Sequence, residues 1–455
     1  MNQKMKQAML FTEGPILKPL LQFAVPVLFA LLLQAMYGGT DLLIVGQFAS
    51  AADVSAVSTG SQVMHSVTSV ITGLAMGTTI LLGQKIGQKK QQEAGDVIGS
   101  GICMFAVIAV VITAVMVGGA GVLAQAMHAP KEAFDKTVLY IRICSAGSLF
   151  ITAYNVLGSI FRGVGDSKTP LLAVFIACVF NIFGDLVFVA VFHMAAAGAA
   201  LATVLAQGIS VALSLVIIRR RQLPFAFARS NLRFNKKLIS KTLSLGFPIA
   251  LQDFLVSVSF LVILAIINGL GVVASAGVGV AEKLCTFILM MPSAFSQSMS
   301  AFVAQNFGAG KMDRAKRGMV YGMTVSFGCG LLLSYLSFFH GDLLTGLFAK
   351  DREIILAAAD YLRAYAIDTL LVSFLFCFIG YFNGCGHTAF VMLQGIVGAF
   401  CVRIPVSYLM SRQSDASLFR VGLAIPLSTA LQIVVCLLYF IRFERHGRRK
   451  RDDKR

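Results

Sequence analysis

Long apolar runs recur along the whole chain, separated by short polar connections. A helical run of about 18 or more apolar residues is enough to cross roughly 30 Å of hydrocarbon. Twelve spans are predicted, over residues 16–46, 55–81, 97–124, 137–160, 169–191, 197–218, 242–267, 273–303, 318–339, 355–381, 388–410 and 420–441. Several are longer than about 25 residues, so tilt or extension beyond the bilayer is expected. Strands of a membrane barrel would alternate apolar and polar positions over short segments. These runs do not alternate, and a helix satisfies its own backbone groups inside lipid.

Hydrophobic residues make up 57% of the 455 and charged residues 13%, against about 45–50% and about 25% in soluble domains. The net charge of +17 would fit nucleic acid, but its placement fits a membrane. An even number of spans puts both termini on one side, and the positive-inside rule makes that side the cytoplasm. The inside segments then carry Lys4, Lys6, Lys85, Lys89, Lys90, Arg219, Arg220, Arg221, Lys236, Lys237, Lys311, Arg314, Lys316, Arg317 and the tail RFERHGRRKRDDKR. The outside loops near 47–54, 192–197 and 268–274 carry no Lys or Arg. The basic excess is thus a topology signal that matches anionic lipid head groups, and no folded basic domain remains to bind nucleic acid. The first 15 residues lack a cleavable signal pattern, so the first span is expected to act as its own insertion signal. Nine cysteines lie in apolar segments without a Cys-x-x-Cys pair. That predicts small buried hydrophobes rather than a disulfide or metal site.

The two halves align at an offset of about 221 residues. GQKIGQKKQQEA (83–94) matches AQNFGAGKMDRA (304–315), pairing Gln84 with Gln305, Gly87 with Gly308, Lys90 with Lys311 and Ala94 with Ala315. YIR at 140–142 matches YLR at 361–363, FRGVGD at 161–166 matches FNGCGH at 382–387, and Pro26 pairs with Pro248. Six spans per repeat is even, so the repeats are parallel, related by an axis along the membrane normal. The predicted fold is an all-α integral membrane protein of twelve helices in two six-helix lobes around a central cleft. The N-lobe is 1–218, a basic cytoplasmic linker 219–241, the C-lobe 242–441 and a basic tail 442–455.

A charge in mid-span costs about 2.5–3.5 kcal/mol on insertion scales, so embedded ionisable groups are functional candidates. In the first half these are Asp41 and Asp185. Tyr37 lies four residues before Asp41 and Asn181 four before Asp185, each pair on one helix face. Asp41, Asp185 and Thr203 each lie five or six residues from the outer end of their span, roughly 8–9 Å below the interface. Two carboxylates, an amide oxygen and a hydroxyl at one depth suit a small hard cation. A carboxylate pair in low dielectric would equally hold a proton. The alternative is an interhelical hydrogen-bond pair that holds the lobe together. The repeat partners of Asp41 and Asp185 are Ile263 and Val406, so the second half lacks this site. It has its own charges, Asp253, Asp368 and Arg403, with Glu282 nearer the outer face. An unpaired mid-span Arg is costly, so Arg403 is expected to pair with Asp253 or Asp368, either as a structural bridge or as part of a substrate site. Pro26 and Pro248 predict kinks. Pro26 could be static or a hinge that responds to protonation of Asp41.

The motifs resemble those of the multidrug and toxic compound extrusion (MATE) transporters. MMPSAFSQSMSAFVAQNFGAGKMDRAKRG (290–318) is similar to the family's signature after span eight, RGVGDSKTP (162–170) to that after span four, and GAALATVLAQ (198–207) to span six. The resemblance covers roughly residues 15–441. It implies a two-lobed exporter of amphipathic, often cationic small molecules in the plasma (bacterial inner) membrane. Export is driven by inward flow of Na⁺ or H⁺, with no other cofactor, and the cleft forms within a monomer. In some members an aspartate in span one, Asn-x-x-x-Asp in span five and a threonine in span six form the cation or proton site. These match Asp41, Asn181, Asp185 and Thr203, and Tyr37 and Asn155 match further members of that network. Where the family often has a second asparagine just after Asn155, this chain has Gly158. Some members also couple ions through acidic residues in spans seven and ten, but Asp253 and Asp368 do not fall on those positions. The alternative within the wider superfamily is a flippase for a lipid-linked oligosaccharide. Such a cleft should be rich in embedded Arg and Lys to hold pyrophosphate. An enzyme is not expected: the loops are short, the histidines scattered, and no Gly-x-x-x-x-Gly-Lys-Ser/Thr loop is present.

Overall fold

The computed structural model describes residues 11–220, 227–413 and 417–452. Lys4, Lys6, residues 221–226 of the expected linker and residues 453–455 of the expected tail lie outside the described residues. All regular structure in the described residues is helical. The first repeat comprises α1 (Leu17–Phe48), α2 (Ala51–Gly87), α3 (Gln91–Ala126), α4 (Phe134–Ala146), α5 (Ser148–Val164), α6 (Lys168–Asp185) with a π-helical extension Leu186–Val191, and α7 (Ala195–Arg220). The second comprises α8 (Lys236–Asn268), α9 (Val272–Gly308), α10 (Met312–Phe339), the short α11 (Gly341–Gly346) and α12 (Arg352–Cys385). It continues with α13 (Thr388–Ile396), which runs through a π-helical segment Val397–Arg403 into α14 (Ile404–Ser411), then α15 (Leu418–Gly422) and α16 (Ala424–Asp452). Among the described residues, eleven helical stretches are long and apolar enough to span a membrane, and a bent pair makes up to twelve.

That bent pair corrects the expectation of one continuous fourth span. The chain turns by 51° between α4 and α5. Gly147 stands at the break, and its N–H is shared between the carbonyls of Ile143 and Cys144. A Cβ there would lie 2.5 Å from a Val204 methyl, so the bend lets the corner press against α7. The repeat partner of Gly147 is Asp368, which sits inside the unbroken α12. Glycine permits the break, and its absence in the second repeat keeps the helix whole.

Elsewhere the repeats share their local geometry. Gly165 ends α5 at φ 91° and Gly386 ends α12 at φ 86°. In both, the N–H after the glycine bonds back to a phenylalanine carbonyl, Asp166 to Phe161 and His387 to Phe382. This is the left-handed glycine stop of a helix. Ser50 and Asp53 form a capping box that opens α2, and Asp53 also takes Lys136 at 2.7 Å, tying α4 to α2. The helices α1 and α8 run through Pro26 and Pro248 without interruption.

The chain forms two compact units. One holds the chain up to Ala250 together with Ala301–Arg314; the other holds Leu251–Ser300 and Ala315 onward. In the first unit, the start of α8 and the end of α9 pack against the last turns of α2. Glycines make this approach possible. A Cβ on Gly87 would collide with the carbonyl of Gln305, and one on Gly308 with the carbonyl of Gln84. These are the repeat-related pairs seen in the sequence, now crossing one another. A Cβ on Gly73 would sit 2.6 Å from the Ala250 Cα. Ile80, Leu82, Phe105, Leu245 and Ala304 fill the core beneath this crossing. The second unit is built around Ile263, Ile267, Tyr361, Leu362 and Val421.

Candidate functional site

Asp41 sits in α1, is only 4% exposed, and is followed in sequence by Leu42, Leu43, Ile44 and Val45. The hydroxyl of Thr203 on α7 donates to its Oδ2 at 3.2 Å. One turn earlier on α1, the Tyr37 hydroxyl donates to the Thr203 carbonyl at 3.3 Å. The two bonds stitch α1 to α7 over consecutive turns. Asp185 closes α6 and Asn181 stands one turn before it, both fully buried and within interaction range of Asp41. Small residues bring these helices together. A Cβ on Gly184, the neighbour of Asp185, would lie 3.0 Å from Cβ of Ala202, the neighbour of Thr203. Close backbone approach at small residues is how helices pack inside lipid. Asp185 also stands where α6 passes into π-helix, a local irregularity common at functional sites.

The group is under-satisfied. Asp41 Oδ1, both side-chain polar atoms of Asn181 and both carboxylate oxygens of Asp185 are buried with no hydrogen-bond partner. A buried polar atom left unpaired costs about 1–3 kcal/mol, so these five atoms have hydrogen-bonding capacity still unused. Its donor set of two carboxylates, an amide oxygen and a hydroxyl fits a hard cation or a proton.

Two residues near this group were not legible in the sequence. Tyr140 and Cys144, on one face of α4, lie within electrostatic reach of Asp41. Gly60 on α2 gives the Tyr140 ring its space, because a Cβ there would overlap the ring. Neither residue interrupts an apolar pattern, and the YIR–YLR match marks Tyr140 only as a repeated position, so nothing in one sequence ties either residue to Asp41.

Asn155 makes its hydrogen bonds outside the Asp41 group. Its Oδ1 accepts from Thr72 at 2.9 Å and its Nδ2 donates to the Ile151 carbonyl at 2.8 Å, linking α5 to α2.

The second unit departs from expectation at Arg403. Among the described residues it forms no ion pair within 4.0 Å with Asp253 or Asp368. Its Nη1 donates to Ser259 Oγ at 3.2 Å, and its guanidinium lies 4.6 Å from the centre of the Phe260 ring. The π-helical turn that ends at Arg403 rotates the side chain relative to a regular helix and aims it at α8. Asp368 is buried on α12, with Oδ1 unpartnered and Arg403 within electrostatic reach. Asp253 is exposed on α8 and Glu282 half-buried on α9. Exchanging the charges at 368 and 403 will therefore not rescue stability. Arg403→Ala will cost about 2 kcal/mol or more through the lost cation–π and charged hydrogen bond. A thermal melt of single and double variants checks both statements; full recovery in the double would show a direct ion pair.

Residues 26–187 and 248–409 each match the MatE family model, once in each repeat. The chain is 26% identical to the probable multidrug resistance protein YpnP of Bacillus subtilis, over 97% of both chains. It is 23% identical to the multidrug export protein MepA of Staphylococcus saprophyticus, over 90% of both. Among solved structures, an outward-facing conformation of a multidrug resistance MATE family transporter of the MOP superfamily matches with a TM-score of 0.91. That match is at 18% identity and covers 98% of this chain and 99% of that one. At that identity the likeness is one of fold.

Proposed function

The chain belongs to the MATE family of multidrug efflux transporters, and from that premise we propose that it is a secondary antiporter whose coupling site is the Asp41 group. Export of an amphipathic, often cationic molecule is driven by inward movement of Na⁺ or H⁺. The observation that carries this is the set of unpartnered oxygens on Asp41, Asn181 and Asp185, beside the Thr203 hydroxyl. Asp41 and Asp185 supply charge, and Asn181 Oδ1 and Thr203 Oγ1 supply neutral oxygens. Tyr37 holds α7 in register so that Thr203 stays within reach of Asp41. If the ion is Na⁺, these oxygens are its ligands and it is a transported co-substrate. If it is H⁺, the two carboxylates share it.

Occupancy changes the charge of the cluster, and a buried charge that is neutralised no longer has to be solvated. That difference is the free energy that biases α1 and α7 between two arrangements. Pro26 weakens the backbone of α1 on the same helix and is the place where α1 bends in response. The protein works as a monomer in the plasma membrane with both termini in the cytoplasm. The substrate is exported by alternating access.

Ethidium efflux from proteoliposomes under an imposed Na⁺ gradient, then under an imposed pH gradient, tests the proposal. One of the two gradients is expected to drive efflux above the leak. Well-folded protein that responds to neither overturns it.

A further inference from the structure

Part of the connection between the repeats has a seat of its own. Residues 228–233 lie across the start of α3. The Asn231 carbonyl rests where Gly99 has no side chain, and a Cβ on Gly99 would collide with it. Asn231 Nδ2 donates to Asp96 Oδ1 at 2.9 Å, and Arg233 Nη2 reaches both Asp96 oxygens at 3.3 Å. Ser100 Oγ donates to the Arg233 carbonyl at 3.2 Å. Asn231 Oδ1 accepts from the Ala228 N–H at 2.8 Å, which closes the turn Arg229–Asn231. Just beyond, Asn235 caps α8 by accepting from the N–H groups of Lys237 and Leu238 at 3.1 and 3.3 Å.

The seat sets a depth. The third apolar span begins near residue 97, so Gly99 lies about 3 Å inside it and Asp96 just outside. A segment docked there runs along the boundary between hydrocarbon and water. The span within α8 begins near residue 242, which puts Lys236 and Lys237 about 8–9 Å further out, at the level of head groups.

Two kinds of side chain are left over by the seat. Leu232 is 44% and Phe234 65% exposed. Arg233 stands between them, and Lys236 and Lys237 follow, all three exposed. Asp96 offsets the charge of Arg233, whereas neither lysine has an ion-pair partner among the described residues. In water, an apolar edge ringed by cations gains nothing. At a bilayer surface both find partners: the ring and the leucine enter the boundary region, and the ammonium groups meet phosphates.

We propose that residues 232–237 form an interfacial anchor that holds the start of α8 at the adjoining membrane surface and selects anionic phospholipid there. Leu232 and Phe234 supply the insertion. Lys236 and Lys237 supply the charge selection. The Gly99 seat keeps both at one level.

The chain contains no tryptophan, so Phe234→Trp supplies a single fluorescent reporter at an exposed position. The full chain is reconstituted into vesicles of brominated phosphatidylcholine, or of brominated phosphatidylglycerol diluted with the unbrominated neutral lipid, with iodide on both sides as the aqueous quencher. Brominated lipid is expected to quench the reporter, phosphatidylglycerol more than phosphatidylcholine at equal mole fraction, and iodide to quench it little. Lys236→Gln and Lys237→Gln, each made in the reporter protein, are expected to lower the preference for phosphatidylglycerol by up to about fivefold, the factor for one cation beside an anionic surface. Leu232→Trp is the second reporter, should Phe234→Trp fold poorly. Quenching by iodide and not by brominated lipid would place the segment in water and overturn the proposal. Equal quenching by the two lipids would overturn it as well, as would a preference that both lysine variants leave intact. The readout needs no transport, so its failure is distinct from a failure of the efflux function proposed above.

Discussion

Asp41→Asn and Asp185→Asn will each abolish gradient-driven efflux, and both proteins will remain folded. Asparagine keeps the shape of each side chain and removes only the charge that the coupling ion answers. A coupling free energy of the usual size corresponds to a loss of about two orders of magnitude. Stability should move the other way. Neither Asp185 oxygen has a hydrogen-bond partner, so the substitution breaks no hydrogen bond and can only relieve the desolvation of a buried carboxyl. The thermal midpoint should hold or rise by an amount equivalent to about 1 kcal/mol. Asp41→Asn keeps an oxygen that can still accept from Thr203. Because the two carboxylates act as one unit, the double variant should be no worse than either single one. Efflux that survives both substitutions would refute a coupling site in the first unit and direct attention to Asp253 and Asp368.

Gly87→Val and Gly308→Val will each destabilise the protein by about 3 kcal/mol, at the upper end of what overpacking costs. In each case the new Cβ meets a backbone carbonyl, of Gln305 and Gln84 respectively. A flexible side chain could swing aside, but a carbonyl inside a helix cannot. The two sites face the same crossing, so their effects should be less than additive. Gly118→Ala on α3 is the control. Nothing lies within 4 Å of a Cβ there, and replacing a helical glycine with alanine is worth up to about 1 kcal/mol in favour of the helix. Melting curves in detergent for the three variants check this. Equal midpoints for Gly87→Val and Gly118→Ala would refute the crossing.

Spans and repeat could be read from the chain because both are properties of local composition. An apolar run must form a helix in lipid wherever it ends up, and the match of GQKIGQKK with AQNFGAGK needs no knowledge of packing. The rarity of charge inside the spans likewise picked out Asp41 and Asp185, and equal depth put Thr203 beside them. The direct bond from Thr203 to Asp41 agrees with that depth argument. Arg403 shows the limit. Its cost in the membrane is legible, but its partner depends on a π-helical turn that moves the side chain toward Ser259 and Phe260.

The sequence alone therefore determined a helical membrane protein of two parallel repeats with acidic groups in its first lobe, because hydropathy, charge placement and internal similarity are one-dimensional. Tertiary structure decided the rest. It broke the fourth span at Gly147, placed Tyr140 and Cys144 near Asp41, and left Asn155 with Thr72. It also crossed Gly87 with Gly308. Each of these depends on how closely two backbones approach and which way a helix face is turned. Those quantities are fixed by contacts between residues far apart in the chain, and so appear only once the helices are packed.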